Sequence, residues 1–176
     1  VMSYAVCKDA DGKDLEEQFA PERIRRMNEI NKRFADAGLT VVHENCMNFG
    51  GMSIRHALRT LEEVPGLRWV FDTANPCFNE DRDCPGHRQD PWAFYQAVRP
   101  HISHVHVKDG IWNPAKKDLD YTMPGDGEGR VADIVGEGLK VHGIVTRRAE
   151  LEERVAQLLE KVKLDPGYVN RYPHEF

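Results

Sequence analysis

The sequence predicts an α/β fold in which parallel strands alternate with helices. Three observations predict it. Short runs rich in β-branched residues recur along the chain, amphipathic helical patterns separate them, and each run follows the last at about the length of one βα unit.

The elements follow in order. "VMSYAV" at 1–6 reads as a strand. "APERIRRMNEINKRFADAG" places Ile24, Met27, Ile30 and Phe34 at near-helical spacing, with Pro21 in the first turn and Gly38 as the stop. "LTVVHEN" (39–45) is a second strand, and Ser53 is placed to cap the helix "IRHALRTLEEV", which ends before Pro65-Gly66. "LRWVFDT" (67–73) is a third strand, followed by a polar loop to about Gln89. "DPWAFYQAVRPH" reads as a short helix with Asp90 as cap and Pro91 at its first position, and "SHVHVKDG" (103–110) as a fourth strand. After "PGDGEGRVADIV" the pattern changes. Leu151, Val155, Leu158, Leu159 and Val162 form an apolar helical stripe, with Thr146 as cap and Pro166-Gly167 as stop. A single amphipathic helix is marginal alone, so this one needs a sheet, helix or second copy to lie on.

Composition excludes several functions. A net charge of −5 over 176 residues advertises neither a nucleic-acid nor an acidic-membrane partner. No apolar run approaches the roughly 18 residues of a membrane span. The opening lacks the basic and apolar regions of a signal peptide, so a cytoplasmic setting is expected. The cysteines, Cys7, Cys46, Cys77 and Cys84, are scattered and read as free thiols in a reducing compartment.

Alternation along a strand assigns faces. His104, His106 and Lys108 share one face of "HVHVK" and Val105 and Val107 the other. Asp72 shares its face with Val70, against Trp69 and Phe71, and Glu44 shares its face with Val42. Parallel α/β folds build sites at the C-terminal ends of their strands, where Glu44, Asp72 and His106 all fall. Two carboxylates and an imidazole on neighbouring strand ends suit Mn²⁺, Mg²⁺, Co²⁺ or Zn²⁺. The plainer alternatives are that Asp72 caps the following loop and that the histidine is a satisfied core residue.

"VVHENC", "WVFDTANP", "HVHVKD" and "MPGDGEGRVADI" resemble the second half of the xylose-isomerase-like TIM-barrel superfamily, over about residues 1–133. The resemblance implies a partial (half) TIM-type (βα) barrel with parallel strands, plus a C-terminal α-helical segment. It implies Glu44, Asp72 and His106 as three of four metal ligands, with Mn²⁺ the first choice of ion. Glu44 matches a catalytic carboxylate that moves the substrate proton, and Lys108, Asn75 and His104 fall at substrate-side positions. Asn75 stands where some sugar epimerases have a histidine. The implied reaction is isomerisation or epimerisation of a sugar or similar hydroxy-carbonyl compound, in which the metal stabilises an enediolate. The family's fourth ligand, a carboxylate on strand eight, has no counterpart motif; Glu128 and Glu150 are remote substitutes, so activity is expected to be impaired.

Residues 134–176, ending in "NRYPHEF", resemble the helical subdomain of ATP-binding subunits of oligopeptide and dipeptide ABC transporters. No Walker A, Walker B or signature motif accompanies them, so ATPase activity is not expected. The division is therefore 1–133 as partial barrel and 134–176 as helical segment, an apparent chimera. A catalytically inactive chimera and a transporter fragment without ATPase activity are the alternative readings. Open sheet edges would favour a homo-oligomer.

Overall fold

The computed structural model describes residues 10–11, 20–141, 157 and 161. The strand expected at 1–6 and nearly all of the tail helix lie outside them. The elements are α1 (Ala20–Asp36), β1 (Val42–Glu44), a 3-10 turn (Phe49–Gly51), α2 (Ile54–Glu63), β2 (Arg68–Asp72), α3 (Asn75–Phe78) and α4 (Pro91–Val98). A second 3-10 turn (Arg99–His101), β3 (Ile102–His106), β4 (Asp109–Asn113), β5 (Asp118–Thr122) and α5 (Val131–Val141) complete them.

The helix ends follow local chemistry. After α1 the Leu39 amide donates to the Phe34 carbonyl at 2.9 Å and the Gly38 amide to Ala35 at 2.9 Å. This Schellman closure puts Gly38 at φ 73°, where a side chain would be strained. Asp90 caps α4 as the sequence predicts, its Oδ1 accepting from the Trp92 and Ala93 amides at 2.8 and 3.1 Å. The expected Ser53 cap is corrected. Ser53 occupies the cap position of α2, but its hydroxyl makes no cap bond and pairs with His56 Nδ1 at 2.8 Å. Both side chains are buried, so the hydroxyl satisfies the imidazole instead.

Three parallel strands form one sheet in the order β1-β2-β3. It is open: these strands close no barrel. The register slips by one residue between Trp69↔Ile102 and Val70↔His104, leaving Ser103 as a bulge. The bulge overrides strict alternation, so that Ile102 and Val105 both pack on the helix-side core. That core joins Trp69 and Phe71 of β2 to Ala57 and Leu61 of α2, Phe94, Tyr95 and Val98 of α4, and Ile134 of α5. Trp69, Phe71 and Phe94 are fully buried. Removing each from water contributes about 2–3 kcal/mol. The opposite face carries Val42 and Val70 and, at the strand ends, the polar side chains of Glu44, Asp72 and His106.

Two sequence expectations change. The run at 103–110 is not one strand: β3 stops at His106 and the chain enters an antiparallel β4–β5 hairpin. The polar loop before Gln89 contains α3 and a bridge between Glu80 and Arg88. Hairpin and loop pack together through Ala74, Cys77, Leu119, Phe78 and Trp112, with the Arg88 guanidinium 3.7 Å from the Trp112 ring centre.

Candidate metal centre

Each strand of the parallel sheet ends on one polar side chain: Glu44 on β1, Asp72 on β2 and His106 on β3. Asp72 lies directly across from His106 in the ladder. One residue beyond Glu44, Asn45 brackets the Asp72 backbone, donating to its carbonyl at 2.9 Å and accepting from its amide at 2.8 Å. A second latch joins β2 to β3. The Thr73 amide donates to the His106 carbonyl at 3.1 Å, and the Thr73 hydroxyl accepts from the Lys108 amide at 3.0 Å. These clamps set the heights of the three side chains.

One ligand-competent atom from each of Glu44, Asp72 and His106 lies within 4.8 Å of the others. His106 Nδ1 is 3.2 Å from Glu44 Oε1 and 4.0 Å from Asp72 Oδ2. The side chains of Asp72, Glu44 and His106 are 0%, 16% and 40% exposed, so the cluster is rooted in the protein and open at its mouth. Asp72 has two faces. Its Oδ1 accepts from the Ala74 and Asn75 amides, both at 3.0 Å, which is the loop-capping role. Its Oδ2 is left facing the cluster, buried and without a well-directed hydrogen bond, although the Lys108 ammonium stands 2.7 Å away. The contact is an ion pair by distance rather than an aligned hydrogen bond. The neighbouring carboxylate raises the Lys108 pKa above its ordinary value.

The remaining predicted residues fall at the rim. Asn75 donates to Glu44 Oε1 at a long 3.4 Å. His104 shares the face of His106, its ring edge-on at 5.4 Å, and is exposed. Glu128 does not join the group: its carboxylate accepts from the Trp112 amide at 3.2 Å, out on the hairpin. Among the described residues no fourth carboxylate completes the cluster, and Glu150 lies outside them. Cys46, Cys77 and Cys84 are free, and burial pushes the Cys77 thiol up to about 12, which leaves it inert.

Sequence reasoning missed Asn45, Thr73 and Asp109. Asp109 is buried, and its two oxygens accept four backbone amides: Gly110 at 2.9 Å, Gly125 at 2.8 Å, Gly127 at 3.1 Å and Gly129 at 2.8 Å. This gathers the "PGDGEGR" loop beside the site. The alternating glycines were the available signal: a Cβ on Gly129 would lie 2.8 Å from Asp109 Oδ1, and one on Gly127 would lie closer still.

Known proteins resemble the chain in two distinct ways. A family model described as "Xylose isomerase-like TIM barrel" matches residues 4–139. The chain belongs to this family. Among solved structures, the xylose isomerase domain protein of Planctomyces limnophilus aligns with TM-score 0.56 and 20% identity, over 81% of this chain and 51% of that one. A xylose isomerase-like TIM barrel protein of Mycobacterium smegmatis, in complex with magnesium, aligns with TM-score 0.55 and 15% identity, over 80% of this chain and 43% of that one. At such identities the likeness shows the fold. The family member thus spans about half of either solved chain.

The second resemblance is short. The dipeptide transport ATP-binding protein DppF of Lactococcus lactis is 49% identical over 51 residues, 29% of this chain and 16% of that protein. The oligopeptide transport ATP-binding protein OppF of Bacillus subtilis is 50% identical over 46 residues, 26% of this chain and 15% of that protein. A partial barrel and a piece similar to peptide-transporter ATP-binding subunits therefore stand in one chain. Among the described residues no helix is long and apolar enough to cross a membrane.

Proposed function

We propose that the barrel portion binds one divalent cation through Glu44, Asp72 and His106 and acts on a small sugar or hydroxy-carbonyl compound by proton transfer next to the carbonyl. The observation that supports this most is Asp72 Oδ2. It is a buried carboxylate oxygen lacking a well-directed hydrogen bond, turned toward a second carboxylate and an imidazole. A buried carboxylate costs several kcal/mol unless a cation compensates it; the half-exposed Lys108 ammonium does so at 2.7 Å in the metal-free fold, and a divalent ion shared with Glu44 and His106 would do so more fully. Hard oxygen donors with one imidazole favour Mn²⁺, with Mg²⁺, Co²⁺ and Zn²⁺ compatible. The cation would supply electrostatic stabilisation of negative charge developing on the substrate oxygen.

The chain's own residues define the rest. Glu44 is the proton-moving carboxylate, and the Asn75 amide steadies its Oε1. His106 faces both carboxylates through Nδ1, at 3.2 Å from Glu44 and 4.0 Å from Asp72, so Nδ1 is the atom that would hold the cation. His104 and Lys108 flank the open side, where substrate hydroxyls would lie. A proton transfer of this kind is completed by a second carboxylate, and the described cluster has none beyond its ligands. The division proposed near residue 133 falls inside α5 (Val131–Val141), which runs across it unbroken.

Calorimetric titration with Mn²⁺ tests the reading. One ion binds per chain, and His106→Ala weakens binding at least ten-fold. Deuterium uptake from D₂O into ketoses, followed by mass spectrometry, then requires the ion and is lost in Glu44→Gln. Absence of Mn²⁺ binding, or binding indifferent to His106→Ala, would refute the site.

A further inference from the structure

The Lys108 ammonium stands 2.7 Å from Asp72 Oδ2, the one Asp72 oxygen left free by the loop cap. Its side chain is half exposed, whereas Asp72 is wholly buried. The lysine therefore reaches inward from solvent to place a positive charge on the oxygen that faces Glu44 and His106. The backbone beneath it is fixed, because the Lys108 amide is held by Thr73 and the next residue, Asp109, is anchored by four glycine amides. The side chain alone has the freedom to leave.

We infer that Lys108 is a tethered counter-cation, which occupies Asp72 Oδ2 when the centre is empty and must swing toward solvent for a divalent ion to bind. The inference rests on the metal reading above. An ammonium and a divalent ion compete for one buried oxygen, since their charges repel across a site with low local dielectric. Lys108 thus sets a threshold on metal uptake and protects the buried carboxylate in the empty chain. Thermodynamic linkage makes the two effects one quantity: the stability that the ion pair adds to the metal-free fold is subtracted from metal affinity.

The test compares the natural chain with Lys108→Met and Lys108→Arg by Mn²⁺ calorimetry and by thermal melting, with and without a chelator. Lys108→Met is expected to bind Mn²⁺ about ten-fold more tightly, a discounted figure because one partner is half exposed. It should melt several degrees lower in chelator, yet match the natural chain in saturating Mn²⁺. Lys108→Arg, which keeps the charge, should stay near natural affinity. Equal or weaker Mn²⁺ binding by Lys108→Met, while His106→Ala still weakens binding at least ten-fold, overturns the inference alone. No Mn²⁺ binding by the natural chain overturns the metal reading and the inference with it. Should Lys108→Met fail to fold, Lys108→Gln removes the charge with less apolar exposure and is read against the same two outcomes.

Discussion

Replacing Asp109 by alanine should be among the most damaging single changes in the described fold. Its carboxylate accepts four backbone amides at 2.8–3.1 Å. Each bond from an amide to a charged acceptor is worth about 1.5–3 kcal/mol, and an orphaned buried donor costs about 1–3 kcal/mol. The Gly125 and Gly127 donors are only partly buried and would recover water. The Gly110 and Gly129 bonds are fully buried, and their donors would not. The net loss is therefore about 4 kcal/mol, a large share of the 5–15 kcal/mol typical of a domain. In urea unfolding followed by circular dichroism, the midpoint should fall by about 2 M at unchanged slope. Asp109→Asn should be nearly as harmful, because its oxygen serves one pair of amides while its NH₂ group opposes the other pair. A loss below about 1 kcal/mol in Asp109→Ala would refute this account of the glycine loop.

Other outcomes follow from the same geometry. Asn45→Ala removes two buried bonds to the Asp72 backbone. It should cost about 2–3 kcal/mol in chemical denaturation and weaken Mn²⁺ binding, since the β1 and β2 ends lose their latch. Burial holds the His43 imidazole down at about 4. The unfolded chain takes up that proton near pH 6.5, so stability is complete above that pH and falls between 6.5 and about 4, by about 3 kcal/mol in all. Burial shifts His56 in the same direction. The pH slope of the urea midpoint over that window should therefore flatten in His43→Gln; an unchanged slope would show that other groups govern it.

Alternation and β-branched content disclosed the parallel strands, because Trp69 and Phe71 are large, apolar and two residues apart on a central strand. Helix ends were equally legible where the capping residue has one use, as at Asp90 and Gly38. Ser53 was misread because a buried imidazole three residues on competes for the same hydroxyl. The hairpin was hidden because β4 follows β3 after two residues, and its strands, "DGIWN" and "DLDYT", are polar. The bulge at Ser103 could not be read either: it depends on how β3 meets β2, not on the serine itself. At the site, strand-end position sufficed to bring Glu44, Asp72 and His106 together. Asn45 and Thr73, which hold them level, act through backbone bonds across strands and leave no periodic trace.

The central claim is that three strand ends converge on one cation. Crystals grown with Mn²⁺ and measured near its absorption edge test it most directly. A single strong anomalous peak bonded to Glu44, Asp72 and His106 is expected, with the Lys108 ammonium withdrawn from Asp72. A peak on other residues, or none at millimolar Mn²⁺, would contradict it.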